Sequence, residues 1–165
     1  MPQRSLMAAK TVASLCDFNV TNLILQKLLY LAHMIHLGDH GHALVDGHFE
    51  AWNIGPVEPN VYHLLKAYGN NNIHDVFGTD GFPENSTEYE TIKAVVNKFR
   101  DFKPSLLVQI THQNNGAWAK NFISGIQGMN ISNNDILQEY GIRRMKTENR
   151  IVGGLSKFGY TPYRT

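Results

Sequence analysis

The chain has 165 residues, 42% of them hydrophobic and 18% charged, with a formal net charge of +1. That length supports one compact domain whose core needs no disulfide or metal, and the near-neutral balance argues against a dedicated nucleic-acid binder. Cys16 is the one cysteine, so no intramolecular disulfide can form, which predicts a cytoplasmic protein.

The first helix is expected over residues 5–16, capped by Ser5, with Ala8, Val12, Leu15 and Cys16 on one face. Thr21 or Asn22 can cap the second. There Ile24, Leu28, Leu31 and Ile35 form one apolar stripe, and Leu25, Leu29 and Ala32 the next. An apolar surface that wide marks a helix surrounded by other elements, and Gly38 is expected to end it. Gln26, Lys27, His33 and His36 interrupt the run, which is too short for a membrane span. No signal-type apolar run follows Met1.

Residues 43–45 and 49–52 are expected to pair as a hairpin across Asp46-Gly47. Gly55-Pro56 then makes a rigid turn, and Pro59 suits the first position of a third helix ending at Gly69. Residues 70–84 read as loop. A fourth helix starts at Asn85 or Ser86, where Asn85 and Glu88 resemble a capping box, and buries Tyr89, Ile92, Val95, Val96 and Phe99. Pro104 opens a fifth helix to Thr111. Ala117-Trp118-Ala119 forms a short turn, and Ser132 with Asp135 starts a last helix to about Tyr140. The fold class is mainly α: a compact multi-helix single domain around a central apolar helix, with a small β-hairpin.

From Ile142 onward the chain carries a net charge of +5, which leaves −4 for the rest. Residues 1–141 therefore read as the domain and 142–165 as a basic tail, mobile or ordered by a partner. Arg143, Arg144, Lys146 and Arg150 are candidate contacts to an acidic partner or a phosphate backbone, or they simply solubilise the chain.

Eight histidines invite a metal, and five fall between His33 and His48. However, no HExxH or CxxC spacing accompanies them, and histidines on a helix end and its loop explain the cluster without a metal. Cys16 lies on an apolar face, where a thiol is inert. No nucleophile elbow, phosphate-binding loop or dinucleotide fingerprint occurs. Nothing assembles an acid, a base and a nucleophile, so neither catalysis nor a cofactor is expected. Gln26 is either buried and hydrogen-bonded, positioning something in the core, or part of a narrow solvent strip. Lys27 can snorkel to the surface. Trp52, Trp118, Tyr30 and Tyr62 are core residues or interface anchors.

Three blocks resemble the Panacea domain of SocA-like and GepA-like proteins. They are Leu25-Gln26-Lys27-Leu28-Leu29-Tyr30-Leu31-Ala32-His33, then Phe49-Glu50-Ala51-Trp52-Asn53-Ile54-Gly55-Pro56-Val57-Glu58-Pro59-Asn60-Val61-Tyr62, then Thr111-His112 with Trp118 downstream. Their order and approximate spacing are kept over about residues 5–140, and the tail falls outside the pattern. The resemblance implies an antitoxin of a bacterial or prophage toxin–antitoxin pair, which neutralises its toxin by direct protein contact. In one branch the antitoxin is an adaptor that delivers the toxin to a ClpXP-type protease. A DNA-binding regulator using the basic tail is the alternative. The shared residues Gln26, Lys27, Tyr30, Trp52, Gly55, Pro56, Val57, Pro59, Tyr62, His112 and Trp118 then read as scaffold that could also touch the partner.

Overall fold

A computed structural model describes residues 2–147. Helix α1 spans Gln3–Leu15 and α2 spans Asn22–His40. A short hairpin follows, β1 Phe49–Trp52 and β2 Gly55–Val57, leading into α3 Pro59–Leu65 and a 3-10 turn Lys66–Tyr68. Helices α4 Thr87–Phe99, α5 Pro104–Thr111 and α6 Ala117–Asn121 come next, then β3 Met129–Ile131 and α7 Asn133–Thr147. The apolar width of α2 has its expected result: it packs against α1, α3, α4, α5, α7 and β2, and its residues Leu25 to Leu37 are all buried.

Several local expectations are corrected. Ser5 does not cap α1. Pro2 stands at that position, while Ser5 is buried and binds Asp46 through its backbone N–H at 2.9 Å. Gly38 does not end α2, which continues to His40 and closes on Gly41 in the left-handed conformation, φ 72°. Gly38 instead gives room to Tyr140 of α7, whose ring a Cβ there would overlap. Thr21 caps α2 and Ser86 caps α4, each side-chain oxygen accepting a backbone N–H three residues on. Glu88 is drawn to Arg4 at 3.0 Å rather than into a capping box.

The hairpin also differs. Residues 43–45 form no strand. β1 pairs antiparallel with β2 across Asn53-Ile54, with Trp52 opposite Gly55, so Gly55 and Pro56 are strand residues. On its other side β1 pairs with β3, Phe49 opposite Ile131, giving a three-stranded sheet of order β2-β1-β3. Leu44 and Val45 are held instead by His33 of α2, and the Ala43 carbonyl by Arg4 of α1. Helix α7 runs through residue 141 to Thr147, past the expected end near Tyr140. Among the described residues no helix is long and apolar enough to cross a membrane.

Candidate functional site

Polar side chains recur along α2 at positions 26, 27, 30, 33 and 36, and apart from the adjacent first pair the steps of three and four keep successive residues near one face of the helix. All five are buried. Between them they grip residues 56–58, the loop after α2 and helix α7, so the central helix is a polar spine as well as an apolar one.

Gln26 settles on the buried alternative. Its Oε1 accepts from the Glu58 N–H at 2.8 Å, and its Nε2 donates to the Glu58 carbonyl at 3.4 Å. Glu58 in turn caps α3, its carboxylate accepting from Asn60 N and Val61 N, with Pro59 at the first helical position. Burial raises the Glu58 pKa. Lys27 does not snorkel. It is 0% exposed, and its Nζ donates to the Pro56 carbonyl at 3.0 Å. Neighbouring side chains of one helix thus fix the backbone of residues 56–58. Burial pulls the Lys27 pKa from 10.5 down to about 7.

Gly55 makes this approach possible. Its φ is 104°, and a Cβ there would sit 2.9 Å from Thr111 Oγ1, 3.0 Å from Lys27 Nζ and 3.2 Å from His112 Nε2. His112 Nε2 is buried with no hydrogen-bond partner among the described residues. Burial first, then the charge of Lys27, lowers the His112 pKa to about 4. The imidazole is held by stacking on Trp118, with centroids 3.6 Å apart and planes 2° from parallel. Trp118 Nε1 donates to the Trp52 carbonyl at 2.7 Å. Trp52 meets Tyr62 edge-on at 4.6 Å and donates its own Nε1 to Glu50. Val57 and Pro56 are buried beside them.

One turn further along α2, the Tyr30 hydroxyl donates to Glu139 Oε1 at 2.7 Å. Burial and the neighbouring carboxylate raise the Tyr30 pKa. Glu139 also accepts from Ala117 N at 3.0 Å and from Arg143 Nε at 2.9 Å, and the two charges pair at 2.7 Å. His33 accepts the Leu44 and Val45 N–H groups at Nδ1 and donates Nε2–H to Asn133 Oδ1 at 3.0 Å. That bonding requires the neutral ring, and burial holds its pKa at about 4. His36 donates Nδ1–H to the His42 carbonyl at 2.7 Å and contacts Thr87 Oγ1 at 2.9 Å. These two histidines therefore pin the 41–45 loop.

The motif residues are thus brought together as one interlocked set, while the basic group is dispersed. Arg143 is 1% exposed inside the fold, not in a solvated tail, because Glu139 one turn away recruits it. Arg144 is half-exposed and bonds Tyr140 OH at 2.9 Å near Asp39. Arg150 and the Lys146 side chain lie outside the described residues. Sequence reasoning missed Glu58, Glu139 and Asn133. The Glu139/Arg143 spacing was a usable signal, whereas Asn133 joins His33 only through tertiary packing. Cys16 is buried, which raises its pKa.

A family profile described as "Antitoxin SocA-like, Panacea domain" matches residues 25–119, a span that begins in α2 and ends just past Trp118. The chain belongs to the SocA-like Panacea-domain family. It is 34% identical over 119 residues to "Antitoxin SocA" of Caulobacter vibrioides (strain NA1000 / CB15N), a match covering 64% of this chain. The match spans 62% of that relative's length, under two thirds. No solved structure matches. The Panacea segment holds Gln26, Lys27, Gly55, His112 and Trp118, while Glu139 and Arg143, which complete the packing around Tyr30, come from α7 beyond it.

Proposed function

We propose that this protein is an antitoxin that neutralises a toxin by binding it directly. The observation that carries this reading is the match to the SocA antitoxin across the Panacea segment. The character of the interlocked set agrees with it. The polar groups of α2 hold the fold's own backbone and side chains, and Lys27 is enclosed behind Gly55 and Pro56, away from any substrate. Such a set serves as a rigid scaffold, and work on a partner falls to the outer surface. A scaffold of this kind is compatible with simple occlusion of the toxin and equally with delivery to a ClpXP-type protease. Burial of Arg143 leaves the DNA-binding reading with less of its basic tail.

Co-expression with the product of the adjacent open reading frame tests the proposal. That product should arrest growth alone, be tolerated beside this protein, and co-purify with it. A harmless neighbour that forms no complex would overturn it. Toxin levels that fall only when the protease is present would single out the adaptor mode.

A further inference from the structure

Five large apolar side chains of the described residues are exposed, and three of them lie on two turns at one end of the sheet. Ile54 sits in the β1–β2 turn at 37% exposure. Ile123 and Ile126 sit in the turn after α6 at 45% and 50%. Val76 and Leu137 are single residues on other elements. The two turns adjoin, since Asn53 lines the same small depression as Gly125, Ile126 and Gln127. Isolated exposed isoleucines are ordinary, whereas several on adjoining turns offer a larger apolar area for contact.

The patch is held in shape. Ile126 N–H donates to the Ile123 carbonyl at 3.0 Å, and Gly125 takes a positive φ of 79°. Behind the turn, Phe122 stacks on Trp118 at 4.6 Å, and Trp118 is bonded to Trp52 of β1. The interlocked motif set therefore ends at this surface and fixes the spacing of its two turns. Binding here would order few groups, which favours affinity.

Its electrostatics select the occupant. No Asp, Glu, Lys or Arg occurs from Asn121 to Asn134 or from Ala51 to Val57, in a chain that is 18% charged. Nucleic acid and anionic membranes need Lys or Arg at the contact, so neither fits. Glu50 places one carboxylate beside Gly128, engaged by Trp52 Nε1 and His48, and so few charges around exposed apolar side chains match the composition of a protein-interface centre. We infer that the turns at 53–54 and 123–127 are the surface that docks the toxin, and that the toxin meets them with an uncharged, apolar segment. This inference rests on the antitoxin reading above.

The test uses the full-length chain and the tagged product of the adjacent reading frame. Ile123→Lys/Ile126→Lys and, separately, Ile54→Lys should each weaken the complex at least about 30-fold, the scale of a hot-spot loss. Their unfolding midpoints should stay at wild type. Ile123→Ser/Ile126→Ser serves the same purpose if the lysines disturb folding. Lys93→Glu, on the exposed side of α4, should leave binding unchanged. Undiminished binding by the isoleucine variants would overturn the assignment while leaving the antitoxin reading intact. A wild-type chain that does not bind the product removes that reading, and the docking surface with it. A wild-type dimer that the lysines dissolve would show a second copy on the patch, and lowered stability with intact binding would show the chain's own residues there. Either result also overturns the assignment.

Discussion

An ammonium group enclosed by protein is disfavoured against its neutral form, and Lys27, which donates to the Pro56 carbonyl, is in that position. Its pKa of about 7 in the fold lies below the ordinary 10.5. The unfolded chain therefore holds the extra proton between those values. Stability should be highest above about pH 10.5, fall as pH drops towards 7, and change no further below it through this group. The gap corresponds to about 5 kcal/mol. Lys27→Met should flatten this limb, as read by urea unfolding at about pH 7 and pH 10. Gly55 faces the same cluster with φ 104°. Gly55→Ala should cost about 1–3 kcal/mol from backbone strain, with a further loss as the new Cβ presses on Thr111, measured by chemical unfolding. The Gln26-Lys27 pair was conspicuous in the sequence because it broke an apolar run. Which way Lys27 would turn was not legible, since the carbonyl it serves lies 29 residues away in the chain.

Helix α7 depends on an internal ion pair at an unusual depth. Glu139 is shared by Tyr30, Ala117 N and Arg143, with no solvent exposure. Removing one member strands the others, so Arg143→Ala should destabilise by about 3–5 kcal/mol. Adding Glu139→Gln should recover part of the loss, which a double-mutant cycle by urea unfolding will show. The long apolar helix α2 and the Pro59 and Pro104 starts were legible because periodicity and proline geometry are local. Strand β3 was not, as Met129-Asn130-Ile131 is too short to show alternation and takes its partner from Phe49–Ala51. Gly38 misled. It looks like a helix end, yet it lies inside α2 and gives room to the Tyr140 ring that crosses it.

At the scale of the molecule, His33 ties α2 to the 41–45 loop and to the first residue of α7. Its pKa of about 4 in the fold lies below the ordinary 6.5. Stability present above about pH 6.5 should therefore be lost as pH falls towards 4, by about 3 kcal/mol for this group alone. A smaller drop in thermal midpoint on acidification of His33→Gln than of wild type would confirm the assignment. The family was legible because its motif residues are the ones that interlock. The proposed docking surface was not, because Ile54, Ile123 and Ile126 follow no helical or strand period, and their two turns adjoin only once the sheet has formed.

The bond from Tyr30 to Glu139 spans 109 positions, and the pairing of β1 with β3 joins residues about eighty apart. Loop-closure entropy on that scale must be met before those contacts contribute. During synthesis α2 leaves the ribosome long before Glu139 and Ile131 exist, with Tyr30 and Phe49 unpartnered and a wide apolar surface open. The protein should therefore be a late folder, vulnerable to proteases and chaperones until α7 arrives. Its supply would then be set by the rate of completing chains as much as by the rate of starting them.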